Sequence, residues 1–303
     1  MPVYREVLRI GLGAVPLDVG FSPRGKHFFC SLSTGQIFVW DFHPLSHSEF
    51  IISLEGSEGE VYACISPIGE YLVSASSQGD VLIWDLKDFK ATKIEKFCEG
   101  ITSFSISSDG SLIAFSESFG TNRVFIYSVE ERRIICEAKG FNDLIFSVKF
   151  SNDNENIFCG VDSGKLFKYS IRKAKIVNKI RAHTSALLAI EIIPRYNYVI
   201  SGSEDGLIRV WDMDDLRVIK ILNRMNNLPV NTLSINPVDF SLLAGFYDID
   251  TYQGKLEIWD TIEAKRIILI NNLFGITSVK ANFDGRFFIF GTVDRIITIA
   301  SYF

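Results

Sequence analysis

The chain has 303 residues, 47% hydrophobic and 22% charged, a balance that builds a folded core and excludes an extended disordered polypeptide. A formal net charge of −5 excludes a protein that binds polyanions over its whole surface. No apolar run approaches the ~20 residues of a membrane-spanning helix, and Met1-Pro2-Val3-Tyr4-Arg5-Glu6 has no secretory pattern, so a cytoplasmic protein without membrane attachment is expected.

The predicted elements repeat along the chain. A leading strand, Val3-Tyr4-Arg5-Glu6-Val7-Leu8-Arg9, comes first. Then follow strand Val19-Gly20-Phe21, turn Ser22-Pro23-Arg24-Gly25, strand Phe28-Phe29-Cys30-Ser31, turn Thr34-Gly35 and strand Ile37-Phe38-Val39-Trp40. A second copy runs through Ser66-Pro67-Ile68-Gly69 and Gln78-Gly79 to Val81-Leu82-Ile83-Trp84. Later copies turn at Ser108-Asp109-Gly110, Asn152-Asp153-Asn154, Pro194-Arg195-Tyr196-Asn197, Asn236-Pro237-Val238-Asp239 and Asp284-Gly285. Gly, Asn, Asp and Pro stand there because tight turns need a positive or a preset φ. Four copies end in Trp-Asp, at Trp40-Asp41, Trp84-Asp85, Trp211-Asp212 and Trp259-Asp260; three end at Tyr127-Ser128, Tyr169-Ser170 and Ala300-Ser301.

These anchors recur every 41–48 residues, the period of a four-stranded propeller blade. Strands rich in Val, Ile and Phe on consecutive positions suit sheets buried on both faces. The expectation is an all-β, seven-bladed β-propeller forming one domain over residues 1–303, with helix limited to short turns. The last copy stops at Ser301-Tyr302-Phe303 with no fourth strand, so the leading strand is predicted to complete it and cover an open edge. Two copies carry insertions, at Ser118-Phe119-Gly120-Thr121-Asn122-Arg123 and from Phe246 to Gln253; insertions in repeat arrays map to loops that often face partners.

Catalysis finds no support in the sequence. The histidines, His27, His43, His47 and His183, form no metal-ligand spacing. Gly11-Leu12-Gly13 lacks a third glycine, and no phosphate-binding or nucleophile-elbow motif occurs. Cys30, Cys64, Cys98, Cys136 and Cys159 are odd in number and lack Cys-x-x-Cys pairing, so buried free thiols in a reducing compartment are expected. No cofactor is implied. The blade-six insertion brings Asp248, Asp250 and Tyr252 together, but two carboxylates are too few for a Ca²⁺ loop.

Ser201-Gly202-Ser203-Glu204-Asp205-Gly206-Leu207-Ile208-Arg209-Val210-Trp211-Asp212 is the clearest copy. It resembles the repeat of WD-repeat proteins, in which His, Ser, Asp and Trp at this spacing form a relay within one blade. Here that relay is His183, Ser201, Asp205 and Trp211, and its expected role is structural; blade five alone keeps all four. A basic stretch in blade four comprises Lys165, Lys168, Arg172, Lys173, Lys175, Lys179 and Arg181. It reads either as a contact for RNA or an acidic partner or as a solvated blade edge; the edge is preferred because no aromatic residues interleave the charges.

The divergent blades carry a narrower resemblance. Blade four reads Gly160-Val161-Asp162-Ser163-Gly164-Lys165-Leu166 and ends Lys168-Tyr169-Ser170. Blade six opens Pro229-Val230-Asn231, has an inserted turn with Asp250-Thr251, and returns through Gly254-Lys255-Leu256-Glu257. Blade seven opens Phe274-Gly275-Ile276-Thr277-Ser278-Val279. In order and position these resemble subunit i of eukaryotic translation initiation factor 3, over essentially the whole chain. The chain departs from that family where Gly56-Ser57 and Gly140-Phe141 replace Gly-His, and its blade-six insertion is shorter.

The resemblance implies a non-catalytic scaffold. It implies that a helical segment of subunit b is clasped, that subunit g lies nearby, and that the small ribosomal subunit (40S) is reached through the complex. Family contacts to subunit b use acidic residues in blades five and six. One matches Asp205; the other falls near Asn227, which is not acidic, so half of that charge pairing is lost. The alternative is another cytosolic WD40 adaptor, an RNP-assembly or signalling scaffold. A ubiquitin-ligase receptor is disfavoured by the absence of Trp-Asp-x-Arg.

Overall fold

The computed structural model describes residues 4–43, 48–55, 57, 59–117, 120–223 and 228–302. The leading strand, β1 (Tyr4–Gly11), stands apart from the repeats that follow. Blade one comprises β2 (Pro16–Phe21), β3 (His27–Leu32), β4 (Gln36–Asp41) and β5 (Phe50–Glu55). Blade two comprises β6 (Val61–Ile65), β7 (Tyr71–Ser76), β8 (Val81–Asp85) and β9 (Ala91–Ile94). Blade three has β10 (Ile101–Ile106), β11 (Leu112–Glu117), β12 (Val124–Ser128) and β13 (Arg133–Ala138). Blade four has β14 (Ile145–Phe150), β15 (Asn156–Val161), β16 (Lys165–Ser170) and β17 (Lys175–Arg181). Blade five has β18 (Leu187–Ile193), β19 (Tyr198–Ser203), β20 (Ile208–Asp212) and β21 (Val218–Asn223). Blade six has β22 (Val230–Ile235), β23 (Leu242–Tyr247), β24 (Gln253–Asp260) and β25 (Lys265–Phe274), and blade seven β26 (Ile276–Ala281), β27 (Phe287–Thr292) and β28 (Ile296–Tyr302).

Each set of four is one antiparallel sheet, and the order β1-β28-β27-β26 gives blade seven its outer strand from the chain's beginning. Tyr4 lies opposite Tyr302 and Gly11 opposite Ile296, with a bulge between Glu6 and Leu8. The fold is a seven-bladed β-propeller closed within blade seven by the N-terminal strand, as the repeat period predicts. Among the described residues a single 3₁₀ turn, Pro194–Tyr196, interrupts the strands.

Five of the first turns share one mechanism. Gly25, Gly69, Gly110, Asn154 and Gly285 each donate their amide to the residue three earlier and have φ between 60° and 74°. That is the left-handed region, which glycine and asparagine enter at least cost.

Contacts divide the chain into two compact units, Met1–Ile94 with Asn231–Phe303, and Glu95–Val230. In the first, apolar faces meet between blades. Val19, Phe28 and Trp40 pack with Ile289 and Ile297, and Leu256 and Ile258 with Ile276 and Phe288. In the second, Ile126 and Val124 pack with Phe141 and Ile157, and Phe158 and Leu166 with Leu187 and Trp211. Middle strands are covered on both faces, as β7 is along its whole length, which is why their sequences do not alternate. Cys30, Cys98 and Cys159 are buried, Cys64 and Cys136 partly so, and all five are free thiols.

Candidate functional site

Between blades four and five the chain leaves β17, enters the loop before β18, and places His183 beside the β19–β20 turn. The His183 amide donates to the Gly164 carbonyl at 2.9 Å. No side chain fits at Gly164, where a Cβ would sit 2.5 Å from the His183 carbonyl. His183 Nε2 lies 2.7 Å from Ser201 Oγ, and Nδ1 lies 3.0 and 3.1 Å from the two Asp205 oxygens. The Trp211 indole N–H donates to Ser201 Oγ at 2.8 Å. With the Nδ1 proton turned to the Asp205 carboxylate, which only accepts, Ser201 accepts from Trp211 and donates to Nε2; Arg209 Nη1 stands 2.8 Å from the same Nδ1.

Asp205 also accepts from the amides of Thr184 at 3.1 Å and Leu207 at 3.0 Å. Burial opposes ionisation, but the bonds from His183 and the two amides hold its carboxyl well below the usual range. Burial lowers the His183 pKa, Arg209 adds to that, and Asp205 opposes it.

Arg209 is the member that sequence reasoning missed. Its Nη1 donates to the Ala182 carbonyl and reaches Asp205 Oδ2 at 3.4 Å. Its position four residues after Asp205, across a tight hairpin turn, was the available signal.

The remaining sequence-predicted residues fall in several places. Asn227 lies outside the described residues, as do Ser118 and Phe119 of the blade-three insertion. Within the basic stretch, Lys168 departs from the rest. It turns inward, donating to the Met213 carbonyl at 2.9 Å over the Phe158 ring. Lys165, Arg172, Lys173, Lys175, Lys179 and Arg181 are exposed. The blade-six insertion is a turn closed by Asp248, whose Oδ1 accepts from the Asp250 and Thr251 amides; Ile249 and Tyr252 stand exposed on it.

A second substitution escaped the sequence. The Trp259 indole donates to a buried carboxylate, Glu257, at 3.0 Å, where Trp211 and Trp84 use serines. Lys255 at 2.7 Å and Arg266 at 2.9 Å neutralise Glu257. Asp18 on β2 is a third polar centre. Burial pushes its carboxyl up to about 6, against the lowering pull of Lys280, the Ser278 hydroxyl and the Ala63 amide. Among the described residues no group of three His, Cys, Asp or Glu is arranged to hold a metal, and no helix is long and apolar enough to cross a membrane.

Comparison with known proteins places this geometry. The family pattern described as WD domain, G-beta repeat matches residues 48–85 and 174–212, each running from the outer strand of one blade through the first three strands of the next. Autophagy-related protein 16 of Arabidopsis thaliana is 24% identical over 70% of this chain and 42% of its own length. THO complex subunit 3 of Arabidopsis thaliana is 24% identical over 65% of this chain and 62% of its own length. The chain thus spans about half the length of these two relatives. Eukaryotic translation initiation factor 3 subunit I of Candida albicans is 24% identical over 94% of this chain and 89% of its own length. The chain is an all-β, seven-bladed β-propeller that contains WD40 repeats.

Proposed function

We propose that this protein is a cytoplasmic, non-catalytic scaffold of the eukaryotic translation initiation factor 3 type, its seven blades acting as one domain over residues 1–303. It binds a helical segment of subunit b through the Asp205 and Asn227 positions, lies beside subunit g, and meets the small ribosomal subunit through the complex. The observation that carries this reading is extent. The subunit I relative aligns over 94% of the chain and 89% of itself, whereas the others align over parts.

The motifs behind the resemblance also have structural work. Asn231 donates to the carbonyls of Ile276 and Thr277. Gly275 admits the Tyr247 ring, to which a Cβ would come within 1.9 Å. Glu257 holds Trp259. Asp205 and Asn227 are the proposed contact positions. Because the Asp205 side chain is 7% exposed and bonded to its own loop, its part is to hold the Thr184 and Leu207 backbone in the shape the partner meets.

A second reading, an adaptor of another assembly, draws on the equal identity to THO complex subunit 3. Affinity purification of the tagged protein from its own cells decides between them. Subunits b and g with 40S proteins are expected in the eluate. Recovery of another complex without any initiation-factor subunit overturns the proposal.

A further inference from the structure

The outer strand of blade four carries more positive charge than its own sheet answers. β17 pairs only with β16, so its other edge presents backbone N–H and C=O groups without ladder partners. Lys175, Val177, Lys179 and Arg181 are exposed along it, with Lys165, Arg172 and Lys173 beside it. In the register Arg181 lies opposite Lys165, and Lys179 opposite Phe167, so Lys165, Lys179 and Arg181 share one face. Like charges directly opposite each other weaken a ladder. Among the described residues, none of these six cations lies within ion-pair distance of a carboxylate. Asp143, in the loop leading to β14, is bound to the amides of Leu144 and Ser163.

Three outer-strand cations of other blades are neutralised locally. Lys93 of β9 meets Asp80 at 2.6 Å, Arg133 of β13 meets Glu131, and Arg266 of β25 meets Glu257 at 2.9 Å. Lysines placed to block strand pairing explain Lys175 or Lys179. They do not explain an arginine opposed by a second lysine in a chain of net charge −5.

We propose that the free edge of β17 docks an extended acidic segment of a partner protein. The segment adds to blade four as a further strand and sets carboxylates beside Lys165, Lys179 and Arg181. Alternate residues of a strand project from one face every ~6.8 Å, the interval between Lys179 and Arg181. Single-stranded nucleic acid fits less well, because no aromatic ring is exposed among these residues for bases to stack on. This edge adjoins the blade-five relay, since the Gly164 carbonyl beside Lys165 accepts from the Ala182 and His183 amides, but its test is read along β17 and the inference stands whether or not the subunit-i reading does.

The test uses the full chain and a fluorescent 12-residue peptide alternating Glu and Thr. A Lys–Thr peptide and a 12-nucleotide oligouridylate are the comparisons, all read by anisotropy at low salt. The expected result is saturable binding of the Glu–Thr peptide alone, weakened at least 10-fold in K179E/R181E at unchanged melting temperature. Amide exchange across residues 175–181 slows in the bound state. Should K179E/R181E fail to fold, K179S/R181S is measured in its place. Absence of binding, binding indifferent to the substitutions, or unchanged exchange along β17 overturns the proposal. Tighter binding of oligouridylate with the same dependence on Lys179 and Arg181 makes this a nucleic-acid surface and equally overturns it.

Discussion

Two carboxylates in this protein titrate in opposite senses, and each is set by its neighbours. Asp205 has its pKa depressed and His183 is kept neutral, so both bind protons less readily in the folded chain than in the unfolded one. Their stabilisation is complete above the ordinary imidazole pKa of 6.5. It erodes as pH falls below that value, then again below the ordinary carboxyl value of 3.8. Asp18 behaves in reverse. With its pKa raised from 3.8 to about 6, the folded state binds the proton more tightly, so stability is lost as pH rises through that interval. Ionised Asp18 therefore costs up to about 3 kcal/mol at neutral pH. Asp205→Ala removes acceptors for His183, Thr184 and Leu207 and is expected to lose about 2–4 kcal/mol at pH 7.5. Asp18→Asn keeps an oxygen for Ser278 and is expected to raise the melting temperature at pH 7.5 with no gain at pH 4. Melting curves from pH 4 to 8 on the three proteins check both; a pH-independent effect of Asp18→Asn contradicts its assignment.

The same logic acts within single sheets. In β24, Glu257 is fully buried between Lys255 and Arg266 and accepts the Trp259 indole N–H. Removing one partner of a buried ion cluster typically costs about 3–5 kcal/mol, because the remaining charge is left uncompensated. Glu257→Ala is thus expected to lower the urea midpoint strongly and Glu257→Gln by less, since Gln still accepts from Trp259. An alanine variant with the wild-type midpoint contradicts this. The example also marks what a sequence of this kind displays. The strands, the first turns and the relay residues were legible, because apolar runs, left-handed turn residues and the His–Ser–Asp–Trp spacing each have a local cause. Glu257 was not, because the acceptor for its Trp lies two positions earlier on the same strand rather than on a neighbour. Lys168 was not, because β16 is a third strand with neighbours on both faces, and charge alone does not say which lysine turns inward to Met213. Arg209 was hidden for a related reason: its partners, Ala182 and Asp205, are set by a hairpin's geometry.

At the scale of the molecule, the first strand and the last share one sheet. β1 and β28 are separated by nearly the whole chain, yet they pair from Tyr4–Tyr302 to Gly11–Ile296. Val7, Leu8 and Ile10 pack onto the cluster that holds Val19, Phe28, Ile297 and Ile299. Loop-closure cost grows only slowly with loop length, so the long separation of the two strands in sequence does not by itself oppose the pairing. Its loss exposes the edge of β28, whose Ile297 and Ile299 are almost fully buried. An uncovered apolar edge templates association. Deletion of residues 1–9 is therefore expected to lower the melting temperature by more than 10 °C and make the transition concentration-dependent. A peptide spanning residues 1–11, added in trans, restores part of the loss. Calorimetry at two protein concentrations reads both effects. A single transition at the wild-type temperature in the deletion variant would show that this closure contributes nothing to stability.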